Sequence, residues 1–95
     1  MENQFAGSSR ISIYASDTNG VLNRVLQLFG KSRFEVNYIE VFKTQDADLK
    51  LIVVEALFPK EMMPLILSRI EKIIEVHRAF AHQHEVENPP DALNR

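Results

Sequence analysis

Apolar and polar side chains alternate over residues 10–16 of the chain. One face of this segment carries Ile11, Ile13 and Ala15. This period of two is the pattern of a half-buried β-strand. A polar stretch follows at residues 17–20, and apolar side chains then recur at helical spacing over residues 21–32. The pattern therefore predicts a strand and an amphipathic helix joined by a short polar loop.

Two further strands are predicted in the middle of the chain. Residues 34–43 are rich in β-branched and aromatic side chains, but their apolar phase slips near Tyr38, which predicts a β-bulge or a sharp bend there. Residues 49–58 are apolar on both faces, as in a strand that is covered on both sides. We therefore expect the second strand to be long and bent and the third strand to be central.

A second helix and a fourth strand complete the pattern. Pro59 ends the third strand, and Pro64 fits only the first turn of the helix, because a proline there forfeits no intrahelical hydrogen bond. The apolar stripe of this helix comprises Met62, Met63, Ile66, Leu67, Ile70, Ile73 and Ile74. In the last strand, predicted over residues 76–84, one face carries Val76, Phe80 and His82, and the other carries Ala79 and Ala81.

The resulting order of elements is βαββαβ. Right-handed crossovers fold this order into a four-stranded antiparallel sheet of order 4-1-3-2 with both helices on one face. The predicted fold class is therefore α+β, a ferredoxin-like sandwich. A monomer would expose the apolar residues on the other sheet face and the apolar edge of the second strand, so we expect a homodimer that covers them.

Composition excludes several functions. The chain has 95 residues, of which 45% are hydrophobic, and a formal net charge of −2. This charge gives no field that favours nucleic acid or a membrane surface. The chain has no cysteine, which excludes thiolate catalysis and disulfides. No apolar run has the length of a signal peptide core or a transmembrane span, and we expect a soluble cytoplasmic protein.

The length predicts one domain. Small residues before residue 10 indicate a flexible leader, residues 1–9. A polar stretch with two prolines indicates a disordered tail, residues 88–95. The single domain would then span residues 10–87.

The polar loop before the first helix is the candidate binding site. A helix N-terminus offers unpaired N–H groups and the positive end of the helix dipole, which suit a carboxylate or a phosphate. The glycine at position 20 would let a ligand approach the backbone amides of Gly20 and Val21. Asp17 or Asn19 could accept hydrogen bonds from an ammonium group, so a zwitterionic amino acid fits this place. The same residue types also cap helices, a role worth about 1 kcal/mol, and capping alone is the alternative interpretation.

Other candidate chemistry has less support. His82 and His84 share one face of the last strand and could chelate a metal, but no third ligand is clearly placed, so solvated histidines are the favoured interpretation. The chain has no nucleophile elbow and no glycine-rich phosphate loop, which makes an independent ferredoxin-like enzyme the least favoured function. Arg24 and Arg69 fit solvated helix charges.

A sequence motif lies at the junction of the first strand and the first helix. It has the pattern D-x-x-G-x-L-x-R-V, formed by Asp17, Gly20, Leu22, Arg24 and Val25. Together with the order βαββαβ, this pattern resembles the ACT domain, a small regulatory module that binds amino acids. The continuation, RVLQLFGKSRFEVNYIEV, is similar to the regulatory small subunit of acetohydroxyacid synthase (acetolactate synthase) in its short, single-module type. The resemblance covers residues 10–86.

This resemblance implies a non-catalytic subunit that acts on a larger catalytic chain in branched-chain amino acid biosynthesis. It also implies a homodimer, with valine or a related amino acid bound between the first loop of one chain and the second strand of its neighbour. The implied ligand-binding residues are Asp17, Asn19, Gly20, Val21, Leu22 and, from the neighbour, Glu35. Arg24 is the implied contact to the catalytic subunit.

The resemblance also assigns the cofactors. Thiamine diphosphate, magnesium and FAD would belong to the catalytic subunit, and this chain would hold no cofactor. A free-standing ACT sensor that acts on another target is the alternative function.

Three residues depart from the family pattern. The family usually has asparagine at the positions of Asp17 and Glu35, and a carboxylate there would repel the carboxylate of a ligand. We therefore expect activation of the partner with weak or absent feedback by valine. Arg33 stands at the position of a family glycine, and a left-handed backbone at this residue would cost about 1 kcal/mol.

Overall fold

A four-stranded antiparallel sheet and two helices make up the structure, a computed structural model that describes residues 8–82. The strands are β1 (Ser9–Ala15), β2 (Glu35–Lys43), β3 (Lys50–Leu57) and β4 (Val76–Ala81). The helices are α1 (Thr18–Lys31) and α2 (Met63–Glu71), the second preceded by a 3₁₀ turn, Lys60–Met62. The sheet order β2-β3-β1-β4 confirms the predicted ferredoxin-like α+β fold.

The hydrophobic core lies between the sheet and the helices, where the apolar faces of these elements meet. The two central strands contribute the fully or almost fully buried side chains Ile11, Ile13, Ile52 and Val54. The helices contribute Val21, Val25, Phe29, Ile66 and Ile70. An aromatic cluster with ring centroids 5.8 to 6.5 Å apart closes the core at the C-terminal end of α1, formed by Phe29, Phe34 and Phe58.

β2 contains the predicted bulge. Val36 pairs with Ala56 and Tyr38 pairs with Glu55, so Asn37 is the extra residue on β2. An inserted residue reverses the parity of the side chains that follow it. The bulge therefore accounts for the slip in hydrophobic phase along this strand.

A second bulge, in β4, corrects the predicted faces of that strand. The register between β1 and β4 shifts between Tyr14 and Ala15, which leaves His77 as the extra residue. Val76 therefore packs in the core, whereas the alternation predicted it on the face of Phe80. The sequence of β4 did not indicate this bulge, because apolar residues occupy both alternating sets of positions and the pattern shows no phase slip.

α2 begins as predicted but ends early. Pro64 lies in its first turn, which confirms the expectation from the missing N–H group. The helix ends at Glu71, and a tight turn follows in which the amide of Ile73 donates to the carbonyl oxygen of Ile70 at 3.0 Å. Ile74 therefore leaves the predicted apolar stripe and is 87% exposed.

The residue after the C-cap of α1 has a left-handed backbone. Arg33 has a φ of 61°, which is the left-handed conformation that the sequence analysis raised for the position of the family glycine. The amide of Phe34 donates to the carbonyl oxygen of Phe29, and the amide of Arg33 donates to that of Gly30, each at 3.0 Å. These two bonds form a Schellman motif, a helix end that usually has glycine at the position of Arg33.

The ends of the predicted domain fall partly outside the described residues. β1 begins at Ser9, one residue inside the predicted leader. The rest of that leader up to residue 7, the predicted tail at residues 88–95, and His84 lie outside the described residues. Neither helix in the described part of the chain has the length and hydropathy needed to cross a membrane.

Candidate functional site

The loop before α1 caps the helix. α1 begins at Thr18 rather than at residue 21. Asp17 is the N-cap residue. Its Oδ1 accepts a hydrogen bond from the amide of Gly20 at 3.2 Å, and its carbonyl oxygen accepts one from the amide of Val21 at 2.9 Å. Asp17 therefore caps α1 and provides acceptors for two amides of the first turn, a role that ligand binding at the same loop would leave in place.

Gly20 makes room for this cap. A Cβ atom at position 20 would lie 2.6 Å from Oδ2 of Asp17, which is closer than non-bonded atoms approach. The backbone of Gly20 is helical, so its conformation does not require glycine. A side chain here would require the Asp17 carboxylate to shift.

Four of the residues implied in ligand binding have side chains at this loop, and two of these side chains are buried or half-buried while two are exposed. Val21 is fully buried, and Leu22 is half-buried against the same core. Asp17 and Asn19 are exposed. Of these four side chains, only those of Asp17 and Asn19 therefore present polar atoms to a ligand.

The backbone amides of the loop also form two groups, one hydrogen-bonded to Asp17 and one without an acceptor in the described part of the chain. Those of Gly20 and Val21 are the amides that the sequence pointed to, and both are bonded to Asp17. Within residues 8–82, the amides of Thr18 and Asn19 have no acceptor. A ligand carboxylate would reach these two amides without breaking the cap.

Glu35 lies at the opposite end of the sheet from this loop. Ala15, next to the loop, pairs with Lys50 at one end of β3, whereas Glu35 pairs with Leu57 at the other end. α1 spans the distance between the two ends, and a helix of 14 residues is about 20 Å long. One chain therefore does not bring Glu35 to Asp17, and the two would meet only across two copies.

The sheet face away from the core is partly apolar. Tyr14 packs beside Phe80 with ring centroids 6.1 Å apart. Arg10 forms an ion pair with Glu55 at 2.8 Å, and its guanidinium lies 5.5 Å from the ring centroid of Tyr38. β2 is an edge strand, as expected, and its exposed large side chains are Tyr38, Val41 and Phe42. These surfaces are the ones that the predicted homodimer would cover.

His82 lies at the end of β4, on the sheet face away from the core. Its Nδ1 is 3.0 Å from Oγ of Ser12, a serine that is only 2% exposed. This contact satisfies a buried hydroxyl, and the sequence gave no signal for it because the two residues are 70 positions apart. Among residues 8–82, no group of three or more potential ligands is placed to hold a metal ion.

Arg24 lies on the exposed side of α1. With Gln27, Leu28 and Lys31 it forms one wall of a groove between the two helices. The structure therefore places Arg24, the implied partner contact, in this groove.

Comparison with known proteins identifies the family. The ACT domain model matches residues 17–79, which is more than half of the chain. The chain therefore belongs to the ACT domain family, whose members are typically regulatory and non-catalytic. No curated protein matches the chain.

Several solved structures share the fold. The acetolactate synthase small subunit from Thermotoga maritima superposes with a TM-score of 0.72 at 21% identity over 85% of this chain. The chain spans 50% of that subunit. The C-terminal domain of the MgtC protein from Mycobacterium tuberculosis also gives 0.72, at 10% identity, over 93% of this chain and all of that domain.

A third structure comes from a different kind of protein. The ACT domain of the GTP pyrophosphokinase of Chlorobium tepidum gives a TM-score of 0.62 at 13% identity, over 80% of this chain and 97% of that domain. The chain is thus similar in fold to modules from three unrelated contexts, and the fold alone does not name a partner.

Proposed function

We propose that this chain is a non-catalytic regulatory subunit of acetolactate synthase, which activates the catalytic chain in branched-chain amino acid biosynthesis. The observation that carries the proposal is the motif from Asp17 to Val25, with its continuation to Val41, in a chain that belongs to the ACT family. The likeness in fold to the Thermotoga maritima small subunit agrees with it. Decarboxylation and condensation of the substrate on thiamine diphosphate, with magnesium and FAD, would belong to the catalytic chain in the cytoplasm.

The subunit acts as a homodimer in this proposal. A ligand site that uses both Asp17 and Glu35 requires a second copy, because one chain holds these residues at opposite ends of the sheet. The exposed aromatic side chains of β2 also support it, since a second chain would remove them from water. Each of the two sites would receive an amino acid at the start of α1.

Regulation would then be a shift between two states of the catalytic chain. Docking of the dimer favours the active state of the catalytic chain. A bound amino acid changes activity only if it changes the dimer's preference for the active over the inactive state. The carboxylates of Asp17 and Glu35 oppose a ligand carboxylate. The proposal therefore includes activation with weak feedback by valine.

Co-expression with the acetolactate synthase catalytic chain of the same organism tests the proposal. The catalytic chain carries an affinity tag, and a tagged, unrelated thiamine-dependent enzyme serves as the control bait. The proposal predicts that the chain is retained by the first bait and not by the second. Equal retention on both baits, or on neither, rejects it.

The second candidate is a free-standing ACT sensor of another target. The likeness in fold to the GTP pyrophosphokinase domain and the MgtC domain supports keeping it. Calorimetric titration of the chain with each of the twenty amino acids separates the candidates. Tight binding of one amino acid by a chain that does not associate with the catalytic subunit would favour the sensor.

A further inference from the structure

A basic groove lies between α1 and α2 on the outer side of the helix layer. One wall is formed by Arg24, Gln27, Leu28 and Lys31, and the other by Arg69 and Ile73. The groove encloses about 280 Å³. The α1 residues recur at positions i, i+3, i+4 and i+7, so they form a continuous stripe along the helix, and Leu28 in this stripe also packs against the core.

The charge of this groove opposes that of the chain as a whole. Its lining includes three cations, Arg24, Lys31 and Arg69, and no carboxylate, although the chain has a net charge of −2. α1 contains no acidic residue. On α2, the carboxylate of Glu71 accepts a hydrogen bond from the amide of Ala79 at 3.0 Å, which turns it toward β4.

The three cations have no partner in the described part of the chain. The ion pair found within residues 8–82 joins Arg10 to Glu55 on the sheet. Arg24, Lys31 and Arg69 are all exposed. Three like charges around one groove repel one another, and a negatively charged occupant would remove this repulsion.

The floor of the groove indicates what kind of anion fits. Leu28 is half-buried, so part of its apolar surface lies between the charges, whereas Ile73 is only 8% exposed and belongs to the core. Arg24 and Lys31 are seven residues apart, which is two helical turns or about 10 Å. They match carboxylates about two turns apart on a partner helix, with apolar side chains between them.

We propose that this groove is the docking site for an acidic amphipathic helix of a partner protein. Carboxylates of that helix pair with Arg24, Lys31 and Arg69, and its apolar side chains cover the exposed part of Leu28. The identity of the partner as the catalytic chain rests on the proposed function. The proposal that the groove binds an acidic helix does not depend on which protein carries that helix.

Binding of a synthetic helix tests the groove directly. The probe is a labelled helical peptide with leucines on one face and glutamates seven residues apart beside them. The control peptide has the same composition with the glutamates moved to the opposite face. Binding is followed by fluorescence anisotropy, and the contact is located from amide NMR shifts.

The proposal predicts that the peptide with glutamates beside its leucines binds and shifts the amide NMR resonances of residues 24–31 and 69–73. Arg24→Glu and Arg69→Glu should each weaken binding about tenfold, and added salt should weaken it in the wild-type chain. Lys60→Glu is the matched control, because Lys60 is exposed and lies outside the groove lining. Equal binding of both peptides, equal loss with all three variants, or stronger binding of inorganic phosphate or duplex DNA overturns the proposal.

The same variants, bound to the catalytic chain, distinguish the two proposals. If the catalytic chain binds the wild type and the Lys60 variant but not the Arg24 and Arg69 variants, the groove is the contact. If it binds all four equally, the docking proposal fails and the proposed function stands. If it binds none while the peptide result holds, the proposed function fails and the groove serves another acidic partner.

Discussion

The carboxylate of Asp17 fills the space in which a side chain at residue 20 would begin, since a Cβ on Gly20 would lie 2.6 Å from its Oδ2. The motif D-x-x-G at the start of α1 thus brings the glycine into direct contact with the capping carboxylate. A role in ligand binding would be added to this structural role and does not replace it.

The contact between Asp17 and Gly20 predicts that substitutions at these two residues have non-additive effects on the free energy of unfolding. Gly20→Ala in the wild-type chain should change the free energy of unfolding little, because the gain in helix propensity, up to about 1 kcal/mol, is offset by loss of the cap. In the Asp17→Ala background, where there is no carboxylate to displace, the same change should stabilise by about 1 kcal/mol. Urea unfolding of the four proteins measures this coupling. Additive effects would show that Gly20 and the cap are independent.

The left-handed backbone at Arg33 predicts that glycine stabilises the protein there. Arg33→Gly should raise the free energy of unfolding by about 1 kcal/mol, because glycine adopts a positive φ without steric cost. Arg33→Ala removes the same charge and keeps a Cβ, so it should change stability little. Thermal unfolding of both variants compares them. A glycine variant no more stable than the alanine variant would contradict this explanation.

The edge strand β2 predicts the oligomeric state. Phe42→Glu should shift the chain from dimer to folded monomer, because a charge would have to be buried in the proposed interface. Ile74→Glu is the control, since Ile74 is 87% exposed after α2 and lies away from the sheet. Sedimentation equilibrium gives the mass of each protein. The proposed interface is wrong if both variants have the mass of the wild type.

The exposed carboxylate of Asp17 predicts that its removal strengthens amino acid binding. Asp17→Asn keeps a side chain that caps helices, so the free energy of unfolding should change little. Affinity for valine should rise about tenfold, because one repulsion between carboxylates is lost. Calorimetric titration measures it, with Asp48→Asn in the β2–β3 turn as the control. An unchanged affinity for valine in Asp17→Asn would place the ligand elsewhere.

Features set by short stretches of sequence could be predicted. The phase slip at Tyr38 predicted the bulge at Asn37, and the missing N–H of Pro64 placed it in the first turn of α2. The family glycine replaced by Arg33 pointed to a left-handed helix end. Each of these depends on interactions within a few residues, which the sequence displays directly.

Features set by pairing between distant segments could not be predicted. The inward position of Val76 depends on a bulge relative to β1, and the contact of His82 with Ser12 joins opposite ends of the domain. The sequence predicts Arg24 and Arg69 as solvated helix charges and, from the family resemblance, Arg24 as a partner contact, but their common groove exists only once the two helices pack together. The start of α1 was placed too late because its polar first turn has no hydrophobic periodicity.

The most direct test of the central proposal is a titration of the purified acetolactate synthase catalytic chain with this protein, in which acetolactate formation is measured at saturating substrate. A regulatory subunit predicts activity that rises with added protein and then reaches a plateau at a fixed ratio of the two chains. Activity that stays constant over the whole titration, at concentrations where the protein is folded, would contradict the proposal.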